Sequence, residues 1–329
     1  MGGFEVMRKF TILVTGGAGF IGSHLVDRLL ADNHRVICFD NFDSFYNPVA
    51  KFRNVSRNVD NPLFKLVSGN VTDPISLGKA FSCWKLDAVV HLAAQAGVRP
   101  SVQNPNLHFD VNVNGTVNVL EFCRKNEVDK FVFASSSSVY GNTPHVPFSE
   151  EDNTDHPLCP YAASKKAGEL ACYNYHSLYG LDVACIRPFT VYGPRQRLDM
   201  AIPLFTRSIY DQLELIVHGG KEVYRDFTYV DDVVSGILRI LSRDHGYEIY
   251  NIGSGVPIGL KALIDTLEKL LDKKAVTKQG KLGEGEATRT YADITKAKEK
   301  LGYAPQYNIE SGLTEFVNWF LEDRRKFVS

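Results

Sequence analysis

The apolar segment Thr11 to Thr15 runs straight into Gly16-Gly17-Ala18-Gly19-Phe20-Ile21-Gly22, and helical patterning follows from Ser23. No other stretch constrains the fold as tightly. Glycines at this density between strand and helix imply a tight turn, a close backbone approach to another group, and a helix packed on its strand without an intervening side chain. The run satisfies GxxGxxG through Gly16, Gly19 and Gly22, and GxGxxG through Gly17, Gly19 and Gly22. The helix it opens presents unpaired N–H groups and a partial positive charge, which suit a pyrophosphate. The second expected strand, Val36 to Phe39, ends at Asp40, 18 positions after Gly22. A carboxylate there can accept from both hydroxyls of a ribose and disfavours a 2′-phosphate, so the expected cofactor is NAD rather than NADP. Phe20, Ile21 and Asn41 complete the expected contact set on this side.

Further strand-like runs alternate with helical ones, at Phe64 to Val67, Ala88 to His91, Lys130 to Ala134 and Val183 to Arg187. Helices are expected near Ser23 to Ala31, Ile75 to Ser82, Asn112 to Lys125 and Tyr161 to Tyr179. This is the pattern of an α/β Rossmann fold, a doubly wound parallel sheet with helices on both faces. After about Pro188 the alternation loosens around shorter elements, with helices expected near Ala201 to Tyr210, Asp232 to Leu241 and Leu260 to Leu271. The expected organisation is a cofactor-binding domain over 1–187 and a smaller α/β substrate domain over 188–329, with some interleaving of chain.

Composition narrows the classes of partner. Lys plus Arg number 37 against 38 Asp plus Glu, a net charge of −1 that offers no general attraction to nucleic acid or anionic lipid. No run approaches the roughly 18 apolar residues of a membrane span, and Met1 to Phe10 reads as a short tail before the first strand. The six cysteines form no CxxC pair, which suggests neither a metal site nor a disulfide framework. They read as buried thiols in a reducing cytoplasm.

Tyr161 and Lys165 stand at a YxxxK spacing, one turn apart on one helix face. A free tyrosine, with a pKa of about 10, is a poor base at neutral pH. A nearby ammonium and the cationic nicotinamide ring both favour the phenolate, so a lowered Tyr161 pKa is expected, with Lys165 also reaching the nicotinamide ribose. Ser136 follows the strand ending at Ala134, where open α/β sheets place ligands, and its hydroxyl can bridge a substrate oxygen and Tyr161.

With these residues in place the chain resembles the extended short-chain dehydrogenase/reductases, in the branch of nucleotide-sugar 4-epimerases. The resemblance spans nearly the whole chain. It rests on the glycine run, His91-Leu-Ala-Ala-Gln-Ala-Gly-Val-Arg99, Asn112-Val-Asn-Gly-Thr116, Ser135 to Gly141, Tyr161 to Lys165, Arg187-Pro-Phe-Thr-Val-Tyr-Gly-Pro194, Arg225-Asp-Phe-Thr-Tyr-Val-Asp-Asp232 and Tyr291-Ala-Asp-Ile294. It implies that Leu92, Ala93 and Gln95 line the cofactor, that Asn112 steadies the loop beside it, that Asn70 and Val71 sit by the adenine, and that Phe189 stands near the nicotinamide. Asn70 replaces the family's usual Asp, and Pro188 a more usual aromatic or aliphatic residue. A homodimer formed through the helices Asn112 to Lys125 and Tyr161 to Tyr179 is implied as well.

The implied reaction is C4 epimerisation of a UDP-sugar through a 4-keto intermediate. Related dehydratases carry an acid after the position of Ser136, whereas this chain reads Ser136-Ser137-Ser138-Val139, which favours epimerisation. The run Phe189-Thr190-Val-Tyr-Gly-Pro-Arg195-Gln-Arg197-Leu-Asp199-Met-Ala201 resembles UDP-glucuronate 4-epimerases, with Leu198 where the family has Pro. Ser137, Ser138 and Thr190 then supply neutral donors for a C5 carboxylate. Arg99, Arg197 and Arg225 are the expected diphosphate contacts, since guanidinium pairs with phosphate bidentately. Glu286 resembles the acid near the uridine ribose, and the small Thr290 the residue that limits pocket size. Two alternatives stay open, an epimerase of UDP-glucose or UDP-N-acetylglucosamine and a non-catalytic NAD-sensing protein.

Overall fold

In a computed structural model, which describes residues 9–143, 145–219, 223–281 and 287–328, the apolar runs become a parallel sheet of seven strands. Six are β1 (Thr11–Thr15), β2 (Arg35–Asp40), β3 (Phe64–Ser68), β4 (Ala88–His91), β5 (Lys130–Ala134) and β6 (Asp182–Pro188). The seventh, Tyr247–Ile252, comes from far along the chain and pairs with β6, Ile249 lying opposite Cys185. Across the sheet the order is Tyr247–Ile252, β6, β5, β4, β1, β2, β3. β1 sits between β2 and β4, with Ile12 opposite both Val36 and Ala88.

Both faces of the sheet are covered, which is why its strands read as nearly continuous apolar runs. The helices of this half are α1 (Phe20–Ala31), α2 (Pro48–Ser56), α3 (Pro74–Phe81), α4 (Val98–Gln103), α5 (Pro105–Phe109), α6 (Gly115–Lys125) and α7 (Pro160–Tyr179). Leu25 and Val26 of α1 join Val233 and Ile237 of the helix Val230–Leu241 over Ile12, Val14 and Val132. On the opposite face Leu77, Val119 and Cys172, from α3, α6 and α7, pack on Leu13, Val89 and Phe131. A third core, built around Phe205, Leu263 and Phe316, holds the smaller lobe together. Residues beyond 188 therefore serve both lobes, since a strand and a helix from that half return to the sheet.

Several details differ from the sequence reading. α1 begins at Phe20, with Gly19 as its N-cap, rather than at Ser23. α2 was not expected, although Asn47 accepts from Val49 N at 2.9 Å and Pro48 takes the first helical position. Asn112 lies in a π-helical turn, Asp110–Asn114, ahead of α6. Cys83 is partly exposed, whereas the other five thiols are buried. α7 approaches β5 so closely that a Cβ on Gly168 would lie 2.3 Å from the Phe133 ring.

Candidate active site

Strand order reverses at β1, between β2 and β4, and a cleft of about 870 Å³ opens over the C-terminal ends of the strands there. Its floor is the glycine turn. Gly16 has φ +68° and donates to Phe39 O at 2.7 Å, while Gly19 N reaches Gly16 O at 3.0 Å. A Cβ on Gly22 would lie 2.2 Å from Gly16 O, and one on Gly16 2.8 Å from Ala93 N. α1 has no side-chain cap, so its first N–H groups face the cleft as anion donors. This cradle fits the diphosphate of a dinucleotide. Phe20, Ile21, Asp40, Asn41, Asn70 and Val71 line the same cleft, as do Leu92, Ala93 and Gln95.

Asp40 is 4% exposed and ends β2 at the wall of the cleft. It accepts from Ala18 N at 3.1 Å and Phe42 N at 2.9 Å, and Lys51 of α2 pairs with it at 3.0 Å. Lys51 carries no motif, and the sequence reading missed it. Asn70 already accepts from Thr72 N at 3.1 Å, which leaves its second lone pair for a ligand. Asn112 does not border the cleft. It stands behind the wall, accepting from Gln95 N at 2.8 Å and donating to Gln95 O at 3.0 Å and Ser164 Oγ at 2.9 Å. The Phe189 ring is fully buried against the adjoining Tyr140 and Phe148 rings, each 6.2 Å away, so this residue borders the cleft while its ring serves the core.

Ser136, Tyr161 and Lys165 come together at the centre of the cleft. Ser136 accepts from Ser138 N at 3.1 Å, which fixes the turn after β5, and its hydroxyl donates to Ser138 Oγ at 3.1 Å. Burial raises the Tyr161 pKa, with the Ser136 hydrogen bond and the Arg197 charge acting the other way. The expected lowering by Lys165 is not found. Its ammonium donates to Ala134 O at 2.7 Å over the Phe133 ring, and burial brings its pKa down to about 8. Lys165 therefore faces the cleft as a cation with donors to spare rather than as a direct partner of the phenol.

At the other end Ser137, Ser138, Thr190, Thr290, Arg99 and Arg225 line the wall. Arg225 donates to Tyr224 O and Thr288 O, both at 3.0 Å. Arg197 also lines it, held by Asp199 at 2.8 and 3.0 Å and lying over Phe45 at 4.4 Å. Glu286 lies outside the described residues. The carboxylates lining the cleft, among the described residues, are Asp40, Asp43 and Asp199; Asp40 ends β2, Asp43 follows it, and Asp199 is engaged by Arg197. The loops across the mouth are tied together by Tyr46, which donates to Arg195 O at 2.7 Å, and by Arg195, which pairs with Asp27 at 2.7 Å.

Known proteins share this arrangement. A UDP-glucuronate 4-epimerase of Thermodesulfobacterium geofontis is 42% identical over 94% of this chain and 96% of its own. A crystal structure of UDP-glucuronic acid 4-epimerase from Bacillus cereus with UDP-glucuronic acid and NAD superposes with a TM-score of 0.88, at 34% identity over 95% of this chain and 99% of that one. A UDP-N-acetylglucosamine 4-epimerase from Methanobrevibacter ruminantium gives a TM-score of 0.89, at 31% identity over 96% and 100%. Residues 12–253 match the NAD dependent epimerase/dehydratase family, and with a glycine cradle and an acid-lined cleft built for that cofactor, the chain belongs to this family.

Proposed function

We propose that this NAD-dependent enzyme inverts C4 of a UDP-linked hexuronic acid, interconverting UDP-glucuronate and UDP-galacturonate. NAD, when bound, supplies the acceptor and donor of the C4 hydride. The chain's own residues handle protons and position. Tyr161 takes the proton of the sugar 4-hydroxyl and later returns one, Ser136 orients both oxygens, and Lys165 holds the ribose while placing a positive charge near the phenol. Residues 1–187 would carry most of the cofactor contacts and residues 188–329 most of the UDP-sugar contacts, with Arg99, Arg197 and Arg225 on the diphosphate.

One observation carries the reading. The sugar end of the cleft offers the hydroxyls of Ser136, Ser137, Ser138 and Thr190 and, among the described residues, no available carboxylate. Elimination of water from the sugar needs an acid there to protonate the leaving hydroxyl, so epimerisation is the chemistry this wall supports. Because β5 and β6 are neighbours, the turn after one and the Phe189–Thr190 segment after the other meet at the same spot. Several neutral donors can hold a C5 carboxylate without leaving a buried guanidinium unpaired. The names of the Thermodesulfobacterium and Bacillus proteins support the same substrate.

The test is Thr190→Val. Loss of one hydrogen bond to a charged group costs about 1.5–3 kcal/mol, or roughly one to two decades in kcat/KM for UDP-glucuronate. Turnover of UDP-glucose, which has a hydroxymethyl at C5, should hardly change. An equal loss on both sugars would count against carboxylate recognition.

A further inference from the structure

Glu169 and Arg187 lie beneath the cleft and line no part of it. Each side chain is 1% exposed, and they pair through two hydrogen bonds of 2.8 Å. Such a pair is weak evidence for stability, because burying two charges costs about as much as their attraction returns. Its position suggests another use. Glu169 follows Lys165 by one turn on the same face of α7. The same Glu169 oxygen that meets Arg187 Nε also accepts from Ser135 Oγ at 2.6 Å. Ser135 lies between Ala134, whose carbonyl takes the Lys165 ammonium, and Ser136, which lowers the Tyr161 pKa against the effect of burial. Arg187 comes from β6, three residues before Thr190, and its guanidinium lies 4.8 Å from the centre of the Tyr140 ring. One carboxylate thus ties together the helix, the strand end and the neighbouring strand that carry the reacting side chains.

We propose that Glu169, clamped by Arg187, is a positioning residue that sets the electrostatic surroundings of Lys165 one turn away and fixes the Ala134–Ser136 corner against α7. This rests on the reading of Lys165 as the cation that holds the cofactor. The other groups facing Lys165 are poor substitutes. From β4 comes His91, bonded to Thr15 Oγ1 at 2.7 Å and Thr116 Oγ1 at 3.0 Å; burial holds its pKa down to about 3, so it is neutral at working pH. β5 contributes the Phe133 ring and a carbonyl. On α7 itself the thiol of Cys172 is pushed far up by burial and is neutral too, and Lys166 lies 3.9 Å from Glu169. Cys172 and, after it, Glu169 oppose the effect of burial on Lys165, and Glu169 is the carboxylate of the two.

The experiment is calorimetric titration of the whole protein with NAD as a function of pH, for wild type, E169Q, E169D, E169Q/R187M and K165M. In the wild type, binding should weaken with rising pH around a midpoint near 8, where Lys165 loses its proton. E169Q should move that midpoint down by about one pH unit, and E169D, which retains the charge, should leave it in place. E169Q strands Arg187 in the interior and can unfold the chain, so E169Q/R187M, which removes both charges, is measured beside it and should also move the midpoint down, by less, because the guanidinium leaves with the carboxylate. A purely structural role lowers stability without moving a titration. An unchanged midpoint in the folded Glu169 variants, with K165M abolishing the pH dependence, overturns the role of Glu169 alone. Persistence of the pH dependence in K165M overturns the reading of Lys165, and the proposal falls with it.

Discussion

Tyr161 lines the cleft with Ser136 and Lys165, its pKa raised by burial, and on the proposed reading it exchanges the proton of the sugar 4-hydroxyl. Removing its hydroxyl while keeping the ring should therefore remove chemistry and little else. In Tyr161→Phe, turnover of the preferred UDP-sugar should fall by about 10² or more while NAD affinity stays near that of the wild type; near-normal turnover would show that another group moves the proton. Asp40 makes a different prediction, because Lys51 sits on it at 3.0 Å. Asp40→Ala should weaken NAD binding by roughly 1.5–3 kcal/mol per lost charge-assisted bond at most. It also leaves the Lys51 ammonium without its carboxylate, so the ratio of NADP to NAD affinity should rise. A variant with an unaltered ratio would remove Asp40 from cofactor selection. Lys165 links site and stability. Its folded value near 8 is below the ordinary 10.5, so between those values the unfolded chain binds more protons and stability rises with pH. The cost of burying the charge is absent above about 10.5 and fully felt below about 8. Urea titrations at pH 7 and pH 10 should find Lys165→Met more stable than wild type at the lower pH, with the advantage reduced at the higher one.

At the scale of elements, α7 carries Tyr161, Lys165 and Glu169 on its sheet-facing side, and its closeness to β5 depends on Gly168. A methyl group there meets Phe133 at 2.3 Å. Gly168→Ala should gain up to about 1 kcal/mol in helix propensity and lose about 1–3 kcal/mol to overpacking, so a lower melting temperature together with lower turnover is expected. Away from the sheet contacts α7 exposes Leu170 and Leu178, and Tyr173 and Tyr179 at its flanks, each more than half exposed. Of the two helices expected to pair between subunits, α7 is the one whose large apolar residues face outward. A homodimer joined there would have about twice the 36.8 kDa chain mass in sedimentation; a species at the chain mass at micromolar concentration would contradict it. These elements also show what the sequence could and could not reveal. β1, β4, β5 and the start of α7 were legible because apolar runs bounded by glycine, proline or serine are local signals. Tyr247–Ile252 was not, because its place depends on pairing with β6 more than sixty residues earlier. The site divides the same way. The glycine turn, Asp40, Ser136, Tyr161 and Lys165 follow from spacing, whereas Lys51, the Tyr46–Arg195 tie and the Glu169–Arg187 pair exist only once distant segments meet.

On the scale of the whole molecule, the cleft lies where the cofactor-side strands face a lobe built from the second half of the chain, and residues of both line it. Thr190, Arg197, Arg225 and Thr290 come from that second half, Ser136 to Ser138 and Arg99 from the first. The proposed choice of substrate would therefore belong to the joint between them. A 4-keto uronic acid is a β-keto acid, so on the proposed reading the hydroxyl cluster would have to hold the carboxylate in an orientation that resists its loss as carbon dioxide. Thr290→Tyr would narrow the same end and should act most strongly on sugars with a bulky C2 substituent. The most direct measurement is product analysis by chromatography after separate incubation of the purified protein with UDP-glucuronate, UDP-glucose and UDP-N-acetylglucosamine. Faster formation of UDP-galacturonate than of either other C4 epimer is the predicted result. Faster conversion of UDP-glucose or UDP-N-acetylglucosamine would contradict carboxylate recognition by Ser137, Ser138 and Thr190.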